Sequence, residues 1–295
     1  MKLLEDFIRI LIYGAVTGSV YAILGLGYNV IYSTTKVFNL AQGEFIMLGM
    51  MLGLVFLETL SFPLPLVLLL VILCVSAIGV FEERIAVRPI MGHTGALPWV
   101  MTTLSFAIIV RSIAQIVWGT QAYRVPAIVP AQPFYISDIR FSPVELSVIG
   151  YALLMAVCLH LFFNYTIWGK ALRAVAHDRE AASLRGINIT LMNSLSFVIG
   201  TSVAALGGLL FAPISFAYVH IGMLYTFKGF IAVSIGGIGN NKGAIFGGLL
   251  LGIVEVFGMN MLGAGYRNII ALVFILVFLL VRPTGLFGER QLREV

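Results

Sequence analysis

The segment from Gly186 to Phe227 holds no Asp, Glu, Lys or Arg across 42 residues. A helix rising about 1.5 Å per residue needs only about 20 residues to cross a hydrocarbon core, so this run exceeds one crossing. A second charge-free window extends from Ile10 to Thr35. Soluble domains carry about 25% charged residues, whereas here the charged fraction is 11% and the hydrophobic fraction 60%. With a mean hydropathy of +1.03, the chain lacks the polar groups needed to cover a globular surface. Lipid must solvate most of it.

Further apolar stretches run from about Leu40 to Leu57, Pro63 to Phe81, Pro98 to Gly119 and Val144 to Phe163. The long charge-free window reads as a span from Leu191 to Phe211, broken by Pro213, followed by a partly re-entrant or irregular piece. Phe227–Gly239, Ala244–Leu262 and Ile269–Val281 complete the set. The pattern predicts an all-α, polytopic bundle of about eight or nine membrane segments, some short or broken. Residues 1–295 form a single membrane domain. The start, Met1 to Arg9, contains Glu5 and Asp6 and no small-residue cleavage site, so the first apolar run is expected to be a retained span.

Two polar segments interrupt this pattern. Residues 120–143 carry Pro126, Pro130, Pro133 and Pro143 among β-branched and aromatic residues, with Arg124 and Arg140 offset by Asp138 and Glu145. They are expected to form an extended or hairpin-like external loop. Residues 165–189 hold Lys170, Arg173, Arg179 and Arg185 against Asp178 and Glu180, and the tail adds Arg282, Arg290 and Arg293. The Lys/Arg excess places both on the cytoplasmic side. If every earlier segment crosses fully, the amino terminus lies outside.

The net charge of +5 follows from this bias. The 18 Lys and Arg form no dense basic face, which excludes nucleic-acid binding. Cys74 and Cys158 each lie in an apolar run and are expected to be small buried hydrophobes. His93, His160, His177 and His220 show no metal-ligand spacing, and no catalytic constellation is visible. Gly236 to Gly243 lacks the Gly-Lys-Ser/Thr ending of a phosphate loop, so the chain is not expected to bind ATP or any other cofactor.

Residues Lys170 to Arg185 are mostly helix formers bounded by Gly169 and Gly186. They predict one short amphipathic helix, with the small pair Ala181-Ala182 offering a shallow surface to a soluble partner. The run Glu180-Ala181-Ala182-Ser183-Leu184-Arg185-Gly186 resembles the EAA-x-x-x-G loop of ABC-importer permeases. Its context, including Arg173 and Asp178 and lacking a following Leu-Pro, is similar to the branched-chain amino acid permease family. Asn39-Leu-Ala-Gln-Gly-Glu-Phe-Ile-Met-Leu-Gly49, Arg88-Pro-Ile-Met-Gly92, Lys228-Gly-Phe, Gly236-Gly-Ile-Gly239 and Arg282-Pro-Thr-Gly-Leu-Phe-Gly288 extend the resemblance over nearly the whole chain.

The resemblance implies a fold related to type II ABC importer permeases and a multi-pass location in a bacterial inner membrane. It implies a second homologous permease, two ABC ATPase subunits and an extracytoplasmic solute-binding protein as partners. Arg173, Asp178, Glu180, Ala181, Ala182 and Gly186 would couple to the ATPases. The implied solute is a branched-chain or related amino acid. Urea or a short amide is the alternative within the family, and an ion-coupled secondary transporter or a channel the alternatives outside it.

Ionisable groups within apolar runs usually face a cavity or a partner. Glu44, close to Asn39 and Gln42, makes a polar cluster that either lines the translocation pathway or ties the fold together. Arg111 is expected to snorkel to the interface. Glu255 can pair with Lys228 or Arg267. Gly239, Gly243 and Gly247, and likewise Gly248 and Gly252, recur every four residues, the spacing that lets helix backbones approach in lipid.

Overall fold

A computed structural model describes residues 2–91, 97–130, 132–136 and 139–288. Gly92, His93, Asp138, Arg290 and Arg293 lie outside the described residues. The helices are α1 (Lys2–Thr35), α2 (Gln42–Leu54), α3 (Leu64–Glu82), α4 (Leu97–Trp118) and α5 (Pro143–Tyr165), then α6 (Ile167–His177) and α7 (Arg179–Leu184), then α8 (Ile189–Ser215), α9 (Ile221–Gly236), α10 (Asn241–Leu262) and α11 (Arg267–Val281). Among the described residues eight helices are long and apolar enough to cross a membrane, and α9 is a shorter apolar helix.

Burial sorts them into two shells. α1, α2 and α8 are largely enclosed, with α9 and α10 packed against α1. α3, α4, α5 and α11 expose long apolar rows such as Leu69, Leu73, Ile109, Ile116, Leu272 and Leu276. In water such rows would be an aggregation hazard; in lipid they are the solvated face.

The α1–α10 seam shows what the glycine spacing does. A Cβ on Gly18 would lie 2.7 Å from the Leu249 Cα, and one on Gly248 2.7 Å from the Ala22 Cα. Gly252 faces Gly14 and Gly18, while Gly243 and Gly247 turn the other way, against Gly236 and Ala232 of α9. The four helical glycines therefore serve two neighbours, one on each side of α10. Gly239 departs from the expected packing set: it lies in the turn before α10 at φ +84°, with open space where a Cβ would point. Its backbone conformation, not a close approach, calls for glycine. Replacing Gly248 with leucine should destabilise the chain by about 1–3 kcal/mol or more, because neither backbone can yield. The check is a thermal-unfolding series in detergent, in which Gly239→Ala should cost less.

Contacts between helix ends define two poles. At one, Lys36 Nζ donates to the Ala176 carbonyl (2.9 Å), Arg179 approaches the Met91 sulfur (3.4 Å) and the Phe287 N–H donates to Gly236 (3.0 Å). At the other, Tyr123 and Ala217 exchange two backbone hydrogen bonds of 2.8 Å. There the expected hairpin forms from β1 (Phe134–Ile136) and β2 (Ile139–Phe141), antiparallel with Tyr135 opposite Arg140.

Three expectations are corrected. α8 runs through Pro213 and ends only at Ser215, where Phe216 takes φ +62°. Only two helical residues follow Pro213, so little helix is left for its ring to disturb. The expected irregular piece follows at residues 216–220, and a second, unexpected one lies at residues 36–41, which turn back into the bundle from Lys36 at φ +58°, so that α2 starts midway along α8. The polar segment after α5 is two helices, not one. Asp178 leaves helical geometry (φ −148°, ψ 111°) and its Oδ1 accepts from the Ala181 N–H (3.0 Å), capping α7. Cys158 is exposed on the outer face of α5 and Cys74 half-buried, since both spans have only one enclosed side.

Candidate functional site

The re-entrant turn at 36–41 carries polar groups to membrane depth. Asn39 Oδ1 accepts from the Ala41 N–H (2.8 Å) and shapes the turn, while its Nδ2 donates to Glu82 Oε2 (2.8 Å) near the end of α3. Gln42 opens α2, and its Nε2 donates to the Gly200 carbonyl in mid-α8 (3.0 Å). The Gly43 N–H donates to Thr226 Oγ1 (3.0 Å), and Thr226 Oγ1 in turn donates to the Leu40 carbonyl (3.3 Å). One residue further, Glu44 Oε1 accepts from Arg111 through Nε (3.2 Å) and Nη2.

Asn39, Gln42 and Glu44 are thus brought into one seam with Glu82, Arg111 and Thr226. The seam is almost fully enclosed. Arg111 does not snorkel; its α4 packs on α2 at this level, and Glu44 neutralises it in place. Glu82 was not legible as an intramembrane acid, because it stands at the charged end of an apolar run. The adjacent Glu83 binds Arg88 (2.7 Å) and Ser194 (3.0 Å) and fastens the end of α3 to α8.

Not every polar atom of the seam is matched. Gln42 Oε1, Glu44 Oε2 and Glu82 Oε1 are buried without a hydrogen-bond partner. Such atoms cost about 1–3 kcal/mol each unless something pairs with them, and native proteins keep few of them. All three lie around the 36–41 turn and the helix ends that it meets.

A second ionic cluster joins four helices. Glu255 on α10 accepts from Tyr21 Oη of α1 (2.6 Å), from Arg267 Nε of α11 (3.1 Å) and from Lys228 Nζ of α9. Both candidate partners for Glu255 are therefore used.

The remaining candidates lie at the pole of α6 and α7. Thr166 caps α6 by accepting from the Gly169 N–H (2.9 Å). Leu172, Val175 and Ala182 bury themselves against Met192 at the start of α8. Arg173 is exposed and donates to Asn164 Oδ1 (2.8 Å). Glu180, Ala181, Leu184 and Gly186 face outward, and Leu184 is 90% exposed. Of the small pair, only Ala181 belongs to the surface. Gly186 closes α7 at φ +83°: its N–H donates to Ser183 (2.9 Å) and the Ile187 N–H to Ala182 (3.1 Å). That is a Schellman ending, which favours glycine.

The Lys36 ammonium joins this pole to the seam. It sits on the last turn of α6, where a cation complements the exposed carbonyls. Partial desolvation and the neighbouring Arg179 charge lower its pKa from the usual lysine value. Only Val37 and Phe38 separate it from Asn39.

Comparison with known proteins adds a second kind of observation. Residues 10–281 match a family model described as "Branched-chain amino acid transport system / permease component". The chain is 29% identical to the high-affinity branched-chain amino acid transport system permease protein BraD of Pseudomonas aeruginosa, with 100% of each chain covered. It is 29% identical to the corresponding LivH protein of Salmonella typhimurium, with 98% of each covered. Among solved structures, PsaBC from Streptococcus pneumoniae in complex with Fab aligns with a TM-score of 0.52 at 15% identity, covering 95% of this chain and 97% of that one. At that identity the likeness concerns the fold alone.

Proposed function

The chain belongs to the family of branched-chain amino acid transport system permease components, and from that premise we propose that it carries branched-chain or closely related amino acids inward across the membrane. It is a multi-pass permease subunit of an ATP-binding-cassette transporter, not an enzyme, and the family works with ATPase and binding-protein partners. The observation that carries the proposal is the family match over residues 10–281. Urea and short amides are disfavoured by the names of its relatives.

The finer assembly is one such chain beside a second homologous permease, with two ATPase subunits and one binding protein. The pole of α6 and α7 faces the cytoplasm, in keeping with its Lys/Arg excess. α6 and α7 offer Arg173, Asp178, Glu180, Ala181, Ala182 and Gly186 to the ATPase, Ala182 from beneath and the others from the surface. Movement of α6 pulls on Lys36 and hence on the 36–41 turn. The turn carries Asn39, Gln42 and Glu44, so a shift there rearranges the unmatched oxygens of the seam around the passing solute. A ligand-driven change needs such differential contacts between two states.

Two experiments test this. In proteoliposomes holding the complete transporter, labelled leucine uptake should be competed by isoleucine and valine and not by urea or acetamide; competition by urea alone would overturn the solute assignment. Asn39→Ala and Gln42→Ala should each change the KM or kcat of uptake while the subunits still co-purify. Unaltered uptake in both would make the seam purely structural.

A further inference from the structure

At the pole of the hairpin, opposite α6 and α7, a cleft of about 550 Å³ opens between the helical turn that follows α2, the loop after α4, strand β2, the start of α5 and the end of α8. Four charged side chains line it: Glu58, Arg124, Arg140 and Glu145. Among the described residues none of the four forms an ion pair within 4.0 Å, unlike Glu44, Glu83 and Glu255, although Glu145 feels the Arg140 charge at longer range and is bonded by the Ser142 backbone. Val144 and Ile214 supply apolar wall between them. The loop bearing Arg124 is held over the cleft by the backbone pairing of Tyr123 with Ala217.

We propose that this cleft is a receiving site for a free α-amino acid in its zwitterionic form with an apolar side chain. The charge pattern selects the class. Two carboxylates and two guanidiniums together are neutral, so a purely anionic or cationic ligand would leave two like charges unanswered, whereas a zwitterion answers one of each sign. Guanidinium groups suit a carboxylate, which they can bind through two parallel N–H donors. Glu58 and Glu145 accept from the ammonium. The volume falls in the range of about 300–1,000 Å³ usual for small-molecule sites, which combine apolar walls with a few convergent polar groups. The proposal rests on the amino acid permease reading above and adds a site to it: the solute first meets the chain here, one membrane depth away from Lys36, before reaching the Asn39–Glu82 seam.

The test uses the assembled permease–ATPase complex in nanodiscs with the binding protein omitted, and labelled leucine as the probe. Leucine should bind and be displaced by isoleucine, but not by leucinamide, which lacks the carboxylate, or by 4-methylpentanoate, which lacks the ammonium. Arg124→Gln and Glu58→Gln, both on exposed side chains, should each weaken binding by about tenfold or more. Two results overturn the site: leucine affinity equal to wild type in both variants, or no leucine binding by a complex that takes up leucine once the binding protein is added. If leucine affinity holds while stimulation of ATP hydrolysis by the binding protein falls, the cleft is a protein-docking surface, and the proposal fails in that way too. A complete transporter that takes up no amino acid at all overturns the solute assignment and the receiving site together.

Discussion

Replacing Glu255 with leucine is expected to cost the chain about 3–5 kcal/mol, the range found when one partner of a buried ion pair is removed. Glu255 is fully buried and accepts from residues on three other helices. Without it, Lys228 is left at 3% exposure beside Arg267, two cations with no carboxylate between them. Arg267 can relieve itself, because about a third of its side chain is exposed. Lys228 has no such route, so most of the cost falls there. The double variant Lys228→Met/Glu255→Leu should therefore recover part of the loss, since neither buried charge remains. Thermal unfolding of the purified protein in one detergent measures all three. If Glu255→Leu melts with the wild type, Glu255 does not hold these helices together.

The second large effect is expected at α6 and α7, the segment we propose for coupling. Gly186 stands at φ +83° with open space where a Cβ would point, so Gly186→Val is harmful through backbone strain, not through a clash. Strain there unwinds the Schellman ending and turns the exposed face of α7 away from its partner. Glu180→Lys leaves the backbone alone and reverses the charge of that face. Both variants should insert and fold, yet coupled uptake should fall by roughly 5–150-fold, the span of a coupling free energy of about 1–3 kcal/mol. Basal ATP hydrolysis should persist while its stimulation by loaded binding protein is lost. Lys36→Met should act in the same direction but more weakly, since it removes one hydrogen bond to Ala176 and leaves the α6–α7 surface intact. Normal uptake in both Gly186→Val and Glu180→Lys would sink the coupling assignment.

Much of the fold was legible because lipid imposes a simple rule. Charge-free windows and their proline borders placed nearly every span within a few residues, and the Lys/Arg excess picked out one pole. Helix breaks were harder. Pro213 advertised a break that its position near the end of α8 made harmless, whereas the re-entry at 36–41 rests on a lysine with positive φ and carries no such sign. The two-helix form of the α6–α7 segment depended on one capping carboxylate, Asp178, which reads in sequence like any charge on an amphipathic helix. At the seam, residue type and spacing singled out Asn39, Gln42 and Glu44, but their partners Glu82, Gly200 and Arg111 lie 43 to 158 residues away. No local pattern links such positions. Arg111 was misjudged for the same reason: its answer, Glu44, sits on another helix.

As a permease subunit of an ATP-binding-cassette transporter, this chain is expected to move its solute with energy supplied by separate ATPases. The direct measurement is labelled leucine uptake into proteoliposomes, comparing the chain with its second permease, ATPases and binding protein against the chain alone. Uptake should require ATP and the partners, and should be indifferent to collapse of proton and sodium gradients. Gradient-driven uptake by the chain alone, without ATP, would contradict it.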